Sequence, residues 1–123
     1  MAAITCFEDL KVWKDARIFA KEIYFLTEKD KFSKEFRFKE QIKSSSGSVT
    51  DNIAEGFERD GNKEFIQFLF IAKGSVGETR SQLHRAFDVN LIDETEYKNC
   101  IEKALNISQS LSNFIAYLKN SEM

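Results

Sequence analysis

The scarcity of helix-breaking residues is the feature that most limits what this chain can fold into. The 123 residues include no proline and five glycines. Proline interrupts a helix and glycine weakens one, so a chain with so few of them can sustain long helices. Its apolar residues also recur at intervals of three and four rather than two, which is the pattern of a helix with one buried face. The sequence therefore predicts an all-α protein.

Four amphipathic segments can be delimited from this periodicity. They lie near residues 8–29, 34–58, 63–88 and from 93 through Leu118. Between the second and third segments, Gly61 is suited to a positive φ and Asn62 to capping the next helix. Asp93 and Glu96 have the spacing of a capping box at the start of the fourth. Because short loops join long helices, we expect an antiparallel up-down-up-down four-helix bundle that forms a single domain over residues 1–123.

Composition and cysteine content fit one ordinary globular domain. The net charge is -2, so the chain as a whole has no electrostatic attraction to nucleic acid. Cys6 and Cys100 are too few for a disulfide framework and suggest a reducing compartment. No apolar run approaches the roughly 20 residues that span a bilayer, and the first residues lack a signal-peptide pattern. We therefore expect a cytoplasmic protein without a membrane partner.

The sequence lacks the residue patterns of catalytic, metal and cofactor sites. His84 is the one histidine, and Ser81 occupies the position three residues before it, where a di-iron bundle needs glutamate. Phosphate-binding glycine loops, zinc-ligand spacings and a Cys/His nucleophile pair are also missing. We expect no catalytic residue, no metal and no cofactor, and hence no enzyme.

Folding the second helix back on the third places small residues opposite small residues. Residues 44–48, SSSGS, face residues 74–77, GSVG, in this arrangement. Glycine lowers helix stability by about 0.5–1 kcal/mol relative to alanine. The three glycines of this pairing, Gly47, Gly74 and Gly77, therefore predict an unusually close approach of the two backbones.

Charged side chains flank this predicted hairpin. Glu55 precedes Arg59 by four residues, the favourable order for a helical ion pair, and Arg59 is near enough to the helix end to bond its last carbonyls. The same register puts Glu78 near Lys43 and Ser44. We interpret these residues as a structural network that fixes the hairpin, with ligand binding as the alternative.

Four stretches of the chain resemble a known family. They are DLKVW at 9–13, NIAEGFER at 52–59, FLFIAKGSVGE at 68–78 and NLIDETEY at 90–97. They are similar to the 23S rRNA intervening-sequence-encoded proteins, small four-helix bundles related to the accessory protein of diversity-generating retroelements. The family-motif residues are Asn52, Glu55, Gly56, Arg59, Gly74, Ser75 and Glu78. Ser33 and Ser44 depart from the family pattern, which has a proline and a basic residue at these positions.

A row of basic residues follows one side of the first segment. It consists of Lys11, Lys14, Arg17 and Lys21. Such a row is a candidate nucleic-acid-binding surface because cations neutralise phosphates. The alternative is a solvated face, since Asp15 and Glu22 lie among and beside the basic residues.

The stretch EFIQFLFIA at 64–72 is apolar around almost the whole helix. Ile66, Phe70 and Ile71 fall outside its core arc, and apolar surplus of this kind usually marks a subunit interface. Ile107 and Phe114 form a second surplus on the fourth segment. The alternative is that loops or the amino-terminal arm cover these side chains.

Together these features predict a non-enzymatic, homo-oligomeric bundle that acts as a binding or assembly module. The family resemblance implies a homopentamer and makes RNA a candidate partner, although most members have no assigned activity. A structural scaffold that binds another protein is the alternative, and an enzyme is less favoured.

Overall fold

The computed structural model describes residues 3–121, and these residues form helices and turns without a β-strand. The four long helices are α1 (Lys11–Thr27), α2 (Phe36–Glu58), α3 (Asn62–Asp88) and α4 (Glu94–Ser121). Two short 3-10 helices, Phe7–Asp9 and Phe32–Lys34, precede α1 and α2. The all-α, four-helix prediction is confirmed.

Each helix packs against two neighbours in a closed four-helix arrangement. The packed pairs are α1 with α2, α2 with α3, α3 with α4 and α4 with α1. Contacts between α2 and α3 run in opposite sequence order, because Ser45 meets Thr79 while Ser48 meets Ser75. The helices α2 and α3 therefore run antiparallel.

The pair formed by α1 and α4 is the least extensive of the four. Ion pairs bridge it at two levels. Lys29 Nζ lies 2.9 Å from Glu96 Oε2, and the Lys103 ammonium pairs with the Glu22 carboxylate. We call this contact the α1–α4 seam. These two ion pairs lie at the edge of a core to which both α1 and α4 also contribute apolar side chains.

The core is built from apolar side chains at helical spacing on all four helices. Its fully enclosed members include Phe19, Ile23, Phe32, Ile42, Val49, Ile53, Leu69, Val76, Leu83 and Leu111. Fully burying one side chain of this size stabilises the fold by about 1.5–3 kcal/mol. The predicted apolar stripes therefore do face one common interior.

The first two helices begin later than the sequence suggests. The chain before α1 forms the short helix at Phe7–Asp9, and the Phe7 ring packs edge-on against Trp13 at 5.2 Å between centroids. Trp13 itself is half-buried against the core. Before α2, the buried Phe32 packs against Phe38 at 5.4 Å. These aromatic contacts fix how the chain leads into α1 and α2.

Three features were predicted at the helix ends, and two of them are present. The Glu96 amide donates to Asp93 Oδ1 at 2.8 Å, and the Asp93 amide donates to Glu96 Oε1 at 2.9 Å, which confirms the capping box. Gly61 has φ 95°, as predicted. Asn62 does not cap α3, because Gly61 holds the capping position and Asn62 Nδ2 donates to Ser121 Oγ at 3.0 Å.

The close approach of α2 and α3 lies at a different glycine from those predicted. A Cβ built on Gly47, Gly74 or Gly77 meets no atom within 4 Å, so these three residues do not bring the helices together. A Cβ on Gly56 lies 2.6 Å from Phe68 Cβ. The prediction for the three glycines was wrong because they point away from the neighbouring helix, whereas Gly56 points into it.

The predicted apolar surplus on α4 is part of the interior. Ile107 is buried, and Phe114 packs against the core with its ring 5.3 Å from that of Phe65. The expectation of an exposed band there was wrong because α4 contacts both α1 and α3, which widens the arc that it buries. No helix within residues 3–121 is long and apolar enough to cross a membrane.

Candidate functional site

The outer groove between α2 and α3 collects the family-motif side chains, and we call it the α2–α3 groove. Ser48 joins its two walls. Asn52 Nδ2 donates to the carbonyl oxygen and to Oγ of Ser48, both at 2.8 Å, and Ser75 Oγ donates to Ser48 Oγ at 3.0 Å. Asn52 and Ser75 are therefore held by one hydrogen-bonded network across the two helices.

A second, buried network lies deeper in the same groove. Ser45 Oγ lies 2.8 Å from Thr79 Oγ1 and donates to Gln82 Oε1 at 2.6 Å. Gln82 Nε2 in turn lies 3.5 Å from Glu78 Oε2. Because the buried polar atoms of Ser45, Thr79 and Gln82 all have partners, the network stabilises the interface of α2 and α3 rather than leaving groups for a ligand.

At the hairpin end of the groove, charge and aromatic contacts support the turn. Arg59 Nη2 lies 3.3 Å from Glu55 Oε2, which confirms the predicted ion pair. The Arg59 guanidinium also covers the Phe68 ring at 5.0 Å. The helix end is closed by the Arg59 backbone N–H, which donates to the Gly56 carbonyl at 3.2 Å. Arg59 therefore fixes the hairpin through its backbone and its side chain.

Glu78 has weaker contacts than the sequence suggests. It lines an open hollow together with Ser44, as predicted. Lys43, the other predicted neighbour, instead reaches across to α1 and lies 3.2 Å from Glu28 Oε2. That part of the prediction was wrong because Lys43 lies on the side of α2 that faces α1. Glu78 is consequently an exposed carboxylate whose contact in the groove is the long one to Gln82.

Charged residues between α1 and α2 form a cluster that sequence reasoning missed. Glu28 Oε2 accepts hydrogen bonds from Lys39 at 3.1 Å and Lys43 at 3.2 Å. The bond from Lys39, then that from Lys43, lowers the pKa of the Glu28 carboxyl. Lys43 Nζ also lies 4.1 Å from the centre of the exposed Tyr24 ring. The pattern has no periodic signal, because the partners come from two helices separated by a turn.

The basic row on α1 divides into one paired and three unpaired cations. Lys11 Nζ lies 2.7 Å from Asp15 Oδ2. Within residues 3–121, no carboxylate lies within 4 Å of the remaining members, which are Lys14, Arg17 and Lys21. Arg17 instead covers the Trp13 ring at 5.5 Å. Of the two acids beside the row, Asp15 neutralises the row member Lys11, whereas Glu22 pairs with Lys103 on α4.

Two of the three residues predicted at an interface are on the surface. Phe70 is 49% exposed and Ile71 is 52% exposed, next to each other on the outer side of α3. Lys119 Nζ lies over the Phe70 ring at 5.2 Å. Ile66 is half-buried and packs against the core, contrary to the expectation that it lies outside the core arc. The exposed apolar surface of α3 therefore consists of Phe70 and Ile71.

Titratable side chains in the described part of the chain do not gather into a reactive centre. No group of three His, Cys, Asp or Glu residues there has the arrangement of a metal site. His84 Nδ1 lies 2.7 Å from the Tyr97 hydroxyl, a contact between α3 and α4. Burial raises the pKa of the Cys100 thiol to about 11, so this cysteine is a poor nucleophile.

Most of the chain matches one family of known proteins. The family model described as 23S rRNA-intervening sequence protein matches residues 8–113. The chain belongs to this family. The match includes every motif residue of the α2–α3 groove as well as the basic row of α1, so these features lie within the shared family domain.

The fold is also similar to a solved structure. That structure is the crystal structure of a protein with unknown function from the S23 ribosomal protein family of Bacteroides thetaiotaomicron VPI-5482. The two chains share 26% sequence identity with a TM-score of 0.78, over 85% of this chain and 97% of the other. No curated protein matches the chain.

Proposed function

We propose that this protein of the 23S rRNA-intervening sequence family is a non-enzymatic bundle that self-assembles, with a homopentamer as the expected form, and acts as a binding or assembly module. The observation that carries the proposal is the exposed apolar pair, Phe70 and Ile71, on the outer face of α3. Two adjacent large apolar side chains left about half exposed on a rigid helix are typical of an interface.

The exposed pair is large enough to influence assembly. Burying a whole side chain of this size contributes about 1.5–3 kcal/mol, so covering the exposed half of each contributes about half of that. Phe70 and Ile71 together then supply about 1.5–3 kcal/mol per interface. A ring of subunits has as many interfaces as chains, and the gain accumulates accordingly.

Light scattering coupled to size-exclusion chromatography at micromolar concentration tests the proposal. We expect a mass several times that of the 14.2 kDa chain, and fivefold for the pentamer. Phe70→Glu with Ile71→Glu should reduce the mass, because two buried charges oppose association. Val89→Glu, at an exposed apolar residue that follows the last residue of α3, is the control. A wild-type monomer would contradict the proposal.

RNA binding along α1 is a second candidate function, favoured by the three cations without a carboxylate partner. Three phosphate contacts predict a salt slope of about -2.1 for a single strand and a non-specific dissociation constant of about 10⁻⁴ to 10⁻⁶ M for one chain. An assembly in which the rows of several subunits share one side would bind more tightly through effective concentration.

A labelled structured RNA at about 0.15 M salt distinguishes these outcomes. Lys14→Glu with Arg17→Glu should abolish binding if the row contacts phosphates. Lys63→Glu with Lys98→Glu changes net charge equally on other surfaces and should not. Nanomolar affinity that depends on Lys14 and Arg17 would establish RNA as the partner. Weak binding insensitive to these changes would leave a protein partner as the better interpretation.

The alternative function is a scaffold that binds another protein through the same apolar surface. A wild-type monomer that loses a protein partner on changing Phe70 and Ile71 would favour it. A cytoplasmic location is part of the proposal and is supported by Cys6 and Cys100, which are both free thiols in the structure.

A further inference from the structure

The outer face of α1 carries two exposed apolar side chains beside two lysines. Ile18 is 54% exposed and Phe25 is 57% exposed. They are seven residues apart, so they lie on one side of the helix about 10 Å from each other. Lys14 and Lys21 have the same spacing in an adjacent row. We call these four residues the α1 face.

The monomer does not use the charges of the α1 face. Across the described residues, neither Lys14 nor Lys21 has a carboxylate within 4 Å. The apolar side chains are equally uncovered, because Ile18 and Phe25 line an open hollow above the α1–α4 seam. The face therefore combines exposed apolar area with two unneutralised cations.

The α2–α3 groove offers the complementary pattern. The hydrogen bond between Ser48 and Ser75 fixes the register, and Asp51 and Glu78 are each three residues beyond these serines. Because the helices are antiparallel, the two acids are displaced in opposite directions and lie about 9 Å apart along the bundle. This separation matches the spacing of about 10 Å between Lys14 and Lys21.

Charge and apolar area also coincide in the groove. In residues 3–121, no cation lies within 4 Å of Asp51 or Glu78. Ile71 is one helical turn from Ser75 and is 52% exposed. Gly74 is also exposed, and a Cβ there meets nothing within 4 Å. The groove thus presents two unneutralised acids, an exposed isoleucine and open space at the adjacent glycine.

We propose that the α1 face of one copy docks in the α2–α3 groove of the next copy. Lys14 and Lys21 approach Asp51 and Glu78 of the neighbouring copy, and the apolar side chains of the α1 face pack against its exposed isoleucine. This inference rests on the proposed self-assembly and names its two surfaces. Because the surfaces differ, the contact is heterologous, and a heterologous contact closes into a ring when its rotation permits.

Charge reversal tests the pairing directly. The α1 variant carries Lys14→Glu and Lys21→Glu, and the groove variant carries Asp51→Lys and Glu78→Lys. Each should reduce the mass measured by light scattering to that of a single chain, because like charges then face each other. A chain with all four changes should recover the wild-type mass. Lys63→Glu with Lys98→Glu controls for net charge.

Gly74→Leu tests the groove without altering charge. The new side chain enters open space in the isolated subunit but occupies the place of the docked helix. We expect loss of the assembled mass while the helical circular dichroism spectrum is retained. The same spectrum shows for every variant that the subunit is folded, so a loss of mass reports on the interface.

The outcomes separate this inference from the proposed self-assembly. A wild-type monomer would contradict both. An assembled wild type whose mass is unchanged in the α1 variant would overturn the α1 face and leave self-assembly intact. If the α1 variant, the groove variant and the chain with all four changes are all monomeric, the α1 face and the α2–α3 groove do not contact each other. Loss of binding to RNA or to anionic lipid vesicles with unchanged mass would assign the α1 face to that ligand instead.

Discussion

Substituting alanine for Gly56 should push α2 and α3 apart. The added Cβ would lie 2.6 Å from Phe68 Cβ and 3.0 Å from Phe65 Cδ1. Carbon atoms in contact prefer separations of about 3.5–4.0 Å, so the first of these distances is short by about 1 Å. Phe68 Cβ is attached directly to the α3 backbone and cannot rotate away. Relief therefore requires the helices themselves to shift.

The expected loss of stability follows from two opposing effects. Overpacking a well-packed interior costs about 1–3 kcal/mol. Replacing glycine by alanine in a helix gains about 0.5–1 kcal/mol. Because Phe68 Cβ cannot move away, the overpacking cost lies in the upper half of its range at about 2–3 kcal/mol, and the net loss in the free energy of unfolding is about 1–2.5 kcal/mol. For a chain of this size, that lowers the melting temperature by several degrees, at about 3–6 °C per kcal/mol.

Thermal and urea unfolding followed by circular dichroism measure this change. Gly47→Ala and Gly77→Ala are matched controls, because a Cβ at either position meets nothing within 4 Å. Each control should gain about 0.5–1 kcal/mol from helix propensity. All variants must be compared at one protein concentration, since self-association makes the melting temperature concentration-dependent.

A Gly56→Ala protein as stable as the wild type would refute the reasoning. It would mean that α2 and α3 can separate without loss, and hence that the contact at Phe68 does not determine their spacing. If all three alanine substitutions destabilise the protein, Gly47 and Gly77 contribute to stability through contacts outside the subunit.

pH, thiol chemistry and helix capping offer three further tests. Hydrogen bonds from two α2 lysines lower the pKa of Glu28 below its ordinary value of 4.5. The stability that these hydrogen bonds add is therefore fully present above pH 4.5 and is lost as the pH falls through the lower pKa of the folded state. Glu28→Gln should accordingly weaken the dependence of urea-unfolding stability on pH in the acid range. Burial raises the pKa of Cys100 to about 11 and shields its thiol, whereas Cys6 is only partly buried, although a hydrogen bond to Asp9 raises its pKa as well. In the native protein at about pH 8, Cys100 should therefore be alkylated more slowly than Cys6, as peptide mass spectrometry would show. Asp93→Ala removes one side of the capping box and should cost about 1 kcal/mol in thermal unfolding, whereas its neighbour Glu94→Ala should change little.

Each of these tests has a clear contrary result. An acid-unfolding profile that is the same with and without the Glu28 carboxylate would show that its lysine contacts add no stability. Equal alkylation of Cys6 and Cys100 in the native state would mean that α4 opens readily at Cys100. An Asp93→Ala protein as stable as the wild type would show that the start of α4 is held by packing alone.

The architecture was accessible from sequence because it depends on periodicity. Apolar spacing and the lack of proline define four helices, and the turn at Gly61 and the capping box at Asp93 mark two of the breaks. The first helix boundaries were less accessible. Short 3-10 helices at Phe7 and Phe32 replace the expected first turns, and both phenylalanines pack against the core, a contact that depends on the tertiary fold.

The candidate surfaces were only partly predictable, because they depend on how each helix is rotated. The packing of α3 in the bundle leaves Ile66 half-buried against the core and Phe70 and Ile71 about half exposed, although periodicity gives all three the same expectation. The same limit explains the glycines, since sequence shows that they are small but not which way they face. Ion-pair choice was equally hidden. Glu22 pairs with Lys103, 81 residues away, rather than with the basic row on its own helix.

The α1–α4 seam has a consequence for the motions of the subunit. The seam is the least extensive of the four helix contacts and is bridged by charged side chains that salt screens. Regions with a low density of contacts open locally at lower free energy than the rest of a domain. The backbone amides of α1 should therefore exchange with deuterium before those of α2 and α3, and faster as ionic strength rises. In an assembly that docks α1 onto a neighbouring subunit, this exchange would slow with protein concentration.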